Sequence, residues 1–556
     1  MSENKSETGK NFLVQGSILA IAGVITKIIG AVYRIPLVNI LGDKGMGYYG
    51  VAFQIYAIAL TLTSYSLPLA VSKLVSARLA TGQYKNAYRV FRGAMTFAIA
   101  AGGIVGAIIF FGADFIASNL MAMKMSTLAL RVLAPCILIV AILGVFRGFF
   151  QGNGSMIPTA VSQIIEQIVN AVVSVVGAYM LLKVGKEVAS QKNNDSYGAA
   201  YAASGGTLGT VMGALAALLF YFLIFSFRKK FRRQMERDRG NKTESYKRVF
   251  KVLLLTIAPV ILSATVYNLC GVVDNAMFGT IMSIQGHKES EYAALLGIVT
   301  GKYDTLMNVP LAISSAFGSS LIPSIVLTAK TGNRRQVHEK IDIFTRFNMI
   351  IAIPCAAGFI VLAKPLLDLL FFTENNTLGG VLLQMGAISV VFYNLSTVTN
   401  AVLQGLDNMM VPVKSAAISL VIHIISLFLM MVVFKWGIYA VVLSKIVFSL
   451  STCILNAHAL RERIGYVQEQ KKTFVIPAIA SIIMGIVTLV VHLLFELFVG
   501  TRIATVIALC VAVAVLRCCA CTSWRCNRKR AIFHAKGTNV SQNMQESSFI
   551  PFLGCS

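Results

Sequence analysis

Residues 12–36 read FLVQGSILAIAGVITKIIGAVYRIP, an apolar run in which Lys27 and Arg34 are the only charges. Coiled as a helix it extends about 37 Å, enough to cross the ~30 Å hydrocarbon core of a bilayer. Runs of the same kind follow at 47–76, 90–113, 127–150, 157–183 and 203–227. After a basic stretch they resume at 249–275, 293–328, 339–363, 376–404, 411–434, 436–460, 473–499 and 502–516. The pattern predicts an all-α polytopic membrane protein with about 14 transmembrane helices. Composition agrees: 56% of the 556 residues are hydrophobic and 13% charged, against about 25% charged in an average soluble domain. A string of soluble domains is excluded. The net charge of +26 would suit a nucleic-acid binder, but those carry their basic residues on a soluble scaffold, so no nucleic-acid partner is expected.

The charge is first a topology signal. Residues 1–11 are polar, lack the short apolar core and cleavage site of a signal peptide, and are read as a cytoplasmic tail. With that end inside, the inner loops hold Arg78, Lys85, Arg89, Arg92, the cluster from Arg228 to Arg248, Lys330, Arg334, Arg335, Lys340, Arg461, Arg463, Lys471 and Lys472. The outer loops hold a scatter, among them Lys44, Lys124, Lys288 and Arg502. Lysine and arginine concentrate in cytoplasmic loops, so the chain is expected to be multi-pass with a cytoplasmic N-terminus.

Two passages repeat. Leu67-Pro68-Leu69-Ala70-Val71-Ser72 resembles Val309-Pro310-Leu311-Ala312-Ile313-Ser314, and each precedes a Thr-Gly turn, Thr81-Gly82 and Thr331-Gly332. Gln151-Gly152 with Met156 and Pro158 resembles Gln404-Gly405 with Met409 and Pro412. The copies lie an even number of helices apart and so share one orientation, giving parallel repeats about an axis along the membrane normal. The expected units are a first lobe at 12–227, a basic linker at 228–248, a second lobe at 249–460, a helix pair at 473–516 and a cysteine-rich tail at 517–556. Two lobes facing a central site make a transporter architecture.

Ionisable groups inside spans cost about 2.5–3.5 kcal/mol each on insertion scales, so they face water or a partner. Six cations are candidates to line a central cavity: Lys27, Arg34, Lys73, Arg131, Lys302 and Arg346. Those near helix ends, such as Arg34, Arg147 and Lys414, also have the option of reaching to the interface. Glu166, Asp274 and Asp304 are candidates either to pair with neighbouring cations or to bind a coupling proton or Na⁺. A cationic chamber suits an anionic ligand such as pyrophosphate, which Arg and Lys hold by charge-assisted hydrogen bonds. No Gly-rich phosphate loop ending in Gly-Lys-Ser/Thr is present, so neither ATP hydrolysis nor a cofactor is expected. An ion gradient or the membrane potential would drive the cycle.

Several of these segments carry a resemblance. Lys27-Ile28-Ile29-Gly30 through Arg34-Ile35-Pro36 to Leu41-Gly42, and Leu67-Pro68 through Lys73 to Ser76, resemble the MurJ-like flippases and the SpoVB/YtgP polysaccharide-biosynthesis proteins. Phe146-Arg147-Gly148-Phe149-Phe150-Gln151-Gly152, continuing to Glu166-Gln167, is similar to the SpoVB/YtgP branch, as are Asn308-Val309-Pro310 and Leu403-Gln404-Gly405. The resemblance implies the multidrug/oligosaccharidyl-lipid/polysaccharide (MOP) exporter fold, shared with MATE transporters, with two six-helix lobes and a final helix pair. It implies an enzyme-free flippase, a monomer in a bacterial cytoplasmic membrane. The expected cargo is an undecaprenyl-pyrophosphate-linked sugar, lipid II above others, moving from the inner to the outer leaflet. By similarity Lys27 and Arg34 would grip the pyrophosphate, with Lys73 and Arg131 nearby. One departure stands out: Thr305 and Asn308 occupy the eighth helix where MurJ proper has an Arg and a Glu.

Alternatives within reach of the sequence are an exporter of another lipid-linked polysaccharide unit, a cation-coupled drug exporter of the same fold, and a non-transporting scaffold of envelope assembly. At the far end, Cys510, Cys518, Cys519, Cys521, Cys526 and Cys555 break with the rest of the chain, which has four scattered cysteines. Their spacing gives no clean metal-binding pairs, and a shifted reading frame near Leu516 accounts for the change.

Overall fold

The computed structural model describes residues 2–226, 238, 243–330, 333–372 and 375–536. Most of the basic linker, and residues 537–556 of the cysteine-rich tail, lie outside the described residues. Among those described, every regular element is a helix.

Helix α1, Ser2–Thr63, is 62 residues long, about 93 Å of helix and some three times the hydrocarbon thickness. It therefore holds two spans, and its single non-helical residue is Gly42, at φ 63° and ψ 176°. Glycine tolerates this left-handed corner because it has no Cβ. The corner falls six residues beyond the expected end of the first span. Pro36 lies within the helix, as membrane helices permit when neighbours satisfy the freed backbone. The second span breaks at Ser64–Ser66 and continues as α2, Leu67–Leu79, with Pro68 near its start, where no helical N–H is required.

Four further helices complete the first half: α3 (Tyr84–Phe115), α4 (Thr127–Gly152), α5 (Ile157–Lys192) and α6 (Ser196–Ser226). Helices α5 and α6 run antiparallel with backbones in near contact. A Cβ on Gly205 would fall 2.2 Å from the Gly177 carbonyl oxygen, and one on Gly209 would fall 2.1 Å from Ser174 Oγ. Lipid gives helices no hydrophobic reason to associate, so close approach over small residues supplies the packing. The second half comprises α7 (Tyr246–Ile284), α8 (Glu289–Gly297), a π-helical turn Ile298–Tyr303, α9 (Asp304–Lys330) and α10 (Arg334–Leu370). It continues through α11 (Thr377–Gly386), α12 (Ser389–Gly405), α13 (Met410–Phe428) and α14 (Ile438–Ile464), followed by α15 (Ile476–Val499) and α16 (Thr501–Lys536). Ten helices among the described residues are long and apolar enough to cross a membrane, or eleven if α11 and α12, bent by 46°, form one span. The stretch Ile21–Leu79 counts there as one.

The repeated Gln-Gly passages fold alike. After α4, Asn153, Gly154 and Ser155 donate backbone hydrogen bonds to Phe149, Gln151 and Phe150; after α12, Leu406, Asp407 and Asn408 donate to Val402, Gln404 and Leu403 in the same pattern. The second residue of each turn is left-handed, Gly154 at φ 78° and Asp407 at φ 60°. The glycine before each turn meets the helix bearing the Leu/Val-Pro motif. A Cβ on Gly152 would lie 2.9 Å from Ser72 O, and one on Gly405 3.3 Å from Ile322 O.

The apolar core has a forked shape. One large cluster unites both halves at the end bearing Gly42, Met121 and Phe371, with Leu37, Tyr49, Leu130, Phe278, Leu296, Leu367 and Val441 in it. Toward the end that carries the basic loops it gives way to two separate clusters. One lies among α2, α3, α4, α6 and the start of α7, around Val71, Phe91, Phe150 and Leu253. The other lies among α9, α10, α12 and α14, around Ile325, Ile341, Val402 and Leu460.

Candidate functional site

The structure sorts the intramembrane charges into two groups. The first consists of pairs. Glu166 on α5 accepts from Arg147 on α4 at 2.6 Å. Asp304, at the start of α9, accepts from Lys445 on α14 at 2.9 and 3.1 Å. Asp274 on α7 meets His423 on α13 at 2.9 Å, both fully enclosed. All three candidate carboxylates thus have a cationic or hydrogen-bonding partner at hand.

Three of the six expected cavity cations also have carboxylate partners and stand apart from one another. Arg131 lies in the first turn of α4 and bonds Asp114 at 2.5 Å on a well-exposed surface, away from any enclosed chamber. Lys302, in the π-helical turn, is 3% exposed and sits 2.8 Å from both carboxylate oxygens of Asp43. It closes the joined end of the core and faces no open space. Arg346 on α10 reaches 3.6 Å to Glu469, in the loop between α14 and α15, and so ties that loop down at the basic end. Glu469 is outside the spans. Burial alone would raise its pKa, but hydrogen bonds from the Lys472 N–H and the Thr473 hydroxyl, with the charges of Arg346 and Lys472, hold it below the usual carboxylate range.

The second group is uncompensated. Lys27, Arg34 and Lys73 have no carboxylate partner among the described residues. Lys27 and Arg34 are seven residues apart and share one face of α1. The Lys27 ammonium crosses to the second half, donating to the Ala312 carbonyl at 3.2 Å and to the Ser315 hydroxyl of α9. Lys73 is exposed on the face of α2 opposite its buried Val71, Leu74 and Val75. Gln167, whose Oε1 is buried without a hydrogen-bond partner, lies 4.0 Å from the Cβ position of Gly30 on α1. Sequence reasoning missed Asp43, Asp114 and Glu469, since each falls just outside an apolar run. The one signal in Asp43 is its place directly after Gly42.

The thiol of Cys270, a carboxylate oxygen of Asp274 and a ring nitrogen of His423 lie within 4.8 Å of one another. The 2.9 Å contact there is a hydrogen bond, and Lys445 close by opposes a divalent cation. A cavity of about 580 Å³ lies elsewhere, between the end of α10 and the α15–α16 turn, lined by Asp368, Phe372 and Arg502 among others.

A bundle of apolar helices with a forked core, crossed by the Lys27 contact to α9, has the architecture of a membrane transporter. Residues 12–329 match the polysaccharide biosynthesis protein family, more than half of the chain, and the chain belongs to that family. It is 26% identical over 427 residues to the lipid II flippase MurJ of Bacillus subtilis, covering 74% of this chain and 76% of that one. It is 28% identical over 397 residues to the uncharacterized membrane protein YabM of the same organism, covering 71% and 70%. Stage V sporulation protein B of B. subtilis is 32% identical over 156 residues, 28% of this chain and 30% of that one. Among solved structures, lipid II flippase MurJ in an inward closed conformation superposes with a TM-score of 0.64 at 15% identity, covering 91% and 98%. An inward-facing MATE transporter of the MOP superfamily gives 0.63 at 15%, covering 80% and 98%. At these identities the structural likeness concerns the fold alone.

Proposed function

We propose that this protein moves an undecaprenyl-pyrophosphate-linked sugar, lipid II in particular, from the inner to the outer leaflet of a bacterial cytoplasmic membrane. The observation that carries the reading is the contrast between paired and unpaired charge. Lys27, Arg34 and Lys73 have no carboxylate partner among the described residues, while the other cavity candidates are neutralised by carboxylates. Uncompensated cations in a span are costly unless water or an anion attends them, and a pyrophosphate with its dense oxygens is the anion such groups hold best. The relatives in Bacillus subtilis support the cargo class. In this reading the N-terminus is cytoplasmic, residues 12–227 and 249–460 are lobes that rock about the joined end of the core, and the sugar headgroup rides in the fork while the isoprenoid remains in lipid.

The test uses proteoliposomes with the purified full chain and fluorescently labelled lipid II. Flipping is expected to fall at least tenfold when Lys27, Arg34 and Lys73 are replaced together by Gln. Undiminished flipping in that variant would sink the cationic grip. A native chain that moves cationic dyes, and is not inhibited by lipid-linked pyrophosphates, would sink the cargo class.

A further inference from the structure

The cavity of about 580 Å³ lies at the end of the bundle opposite the basic loops, away from the fork of the core. One wall is the end of α10, with Asp368, and the segment after it, with Phe371, Phe372 and Asn376; the other is the α15–α16 turn, with Thr501 and Arg502. Its volume falls in the ~300–1,000 Å³ range of small-molecule sites. The first wall is fixed in place. Asn376, 2% exposed, donates through Nδ2 to Asp368 Oδ1 and to the Phe371 carbonyl, both at 2.9 Å. Asn39 on α1 holds the same segment from the other side, donating to the Leu370 carbonyl at 3.0 Å and accepting from the Phe372 N–H at 2.8 Å.

The two walls carry opposite charges that do not meet. Asp368 has no ionic partner among the described residues, and only its Oδ1 is engaged, by Asn376. Arg502 has no carboxylate partner there either; its guanidinium carbon stands 4.6 Å from the centroid of the Phe372 ring, an aromatic rest that positions the charge without neutralising it. A lone anion is drawn to Arg502 and repelled by Asp368, and a lone cation meets the reverse. A ligand bearing an ammonium and an oxyanion a few bonds apart satisfies both walls. The guanidinium fork receives the oxyanion and the carboxylate receives the ammonium, each by charge-assisted hydrogen bonds.

The surroundings decide what such a zwitterion is attached to. Phe372 and Ile503 line the cavity yet are 58% and 56% exposed, and Leu497 and Phe498, just before its Val499, are 80% and 83% exposed. Large apolar side chains bared at a helix end of a membrane protein are covered by lipid chains, not by water. We propose that this cavity binds the headgroup of a phosphatidylethanolamine-type lipid, with the phosphate on Arg502, the primary ammonium on Asp368 and the acyl chains along the exposed residues of α15 and α16. The bound lipid would join α10 to the α15–α16 turn and, through Asn39, border the first half. The site does not depend on the transport function proposed above.

Native mass spectrometry of the full-length protein, stripped of lipid in detergent, tests the site. Phosphatidylethanolamine, phosphatidylcholine and phosphatidylglycerol with matched acyl chains are added one at a time. Phosphatidylethanolamine should bind at least fivefold more tightly than the others, since the quaternary ammonium of phosphatidylcholine has no N–H for Asp368 and phosphatidylglycerol has no cation. Arg502 is exposed, so Arg502→Gln leaves the fold intact and should weaken phosphatidylethanolamine binding at least fivefold. Asp368→Asn keeps an acceptor for Asn376 and should erase the advantage over phosphatidylglycerol. Equal binding of the three lipids, or a preference that survives both replacements, would overturn the proposal. Phosphatidylglycerol bound as tightly as phosphatidylethanolamine and lost equally in Arg502→Gln would make this a plain anion site and overturn it too. Displacement of the lipid by an equimolar amount of soluble phosphoethanolamine would show that the cavity takes a free zwitterion, with the same result.

Discussion

Replacing Asp43 by Ala leaves the Lys302 ammonium without its carboxylate at a site where the lysine side chain is 3% exposed and the aspartate side chain 7% exposed. Breaking a buried ion pair by removing one partner typically costs about 3–5 kcal/mol, because the remaining charge is stranded. Here the chain has a route of relief. The pair joins α1 to the π-helical turn after α8, where Gly47, Gly50, Gly297 and Gly301 let the backbones meet; a Cβ on Gly47 would fall 2.0 Å from Ala293 O. Separation of the halves at this end would hydrate Lys302. A penalty of about 3 kcal/mol confined to the closed arrangement shifts that equilibrium by more than 100-fold. The assay is labelling by a membrane-impermeant maleimide of a cysteine placed at Met46, which is 0% exposed in this interface, in a background free of other cysteines. Met46→Cys alone should resist labelling, and adding Asp43→Ala should accelerate it at least tenfold. The double replacement Asp43→Asn with Lys302→Met should restore most of the resistance, since no charge remains to hydrate. Equal labelling in all three proteins would refute the reasoning, as it would mean the pair does not hold this end shut.

Two further outcomes follow from particular contacts. Gly209→Val drives a branched side chain into Ser174 and the Asn170 carbonyl; overpacking of this kind costs about 1–3 kcal/mol or more, so the midpoint of thermal unfolding in detergent should drop clearly, while Gly103→Val, which meets nothing within 4 Å, should leave it unchanged. Glu469 has a depressed pKa in the folded chain, so its contribution is present above the unfolded carboxyl value and lost as pH falls through the lower folded value. Glu469→Gln should therefore lower the unfolding midpoint slightly at pH 7, and the difference from native should vanish under strongly acid conditions.

The helical class and the matching Gln-Gly turns were legible because both rest on local patterns. Apolar runs of bilayer length announce spans, and the Gln-Gly turns repeat even to the left-handed second residue, although one copy uses Gly154 and the other Asp407. Span edges were less legible. The first helix passes through Pro36 to a corner at Gly42, because a proline inside an apolar run does not by itself end a membrane helix. The site was half legible. The types of charge could be read from the chain, but which cation meets which carboxylate depends on contacts over long sequence separations. Lys302 looked like a cavity residue until Asp43, 259 positions away, took up both faces of its ammonium. Lys27, Arg34 and Lys73 remain candidates for the opposite reason, since no acidic residue among those described comes to meet them.

That unbalanced trio has an electrical consequence. Across a membrane with a negative interior, each elementary charge moved through the full field is worth about 2.3 kcal/mol per 100 mV. The paired groups move through the field as neutral dipoles and feel little of it. Under the proposed function, a pyrophosphate seated on Lys27, Arg34 and Lys73 cancels most of their charge, so the loaded chamber crosses nearly without regard to voltage. The empty chamber is the charged species, and voltage draws its cations back toward the cytoplasm. Membrane potential would then act on the return stroke and reset the carrier, rather than pushing the cargo outward.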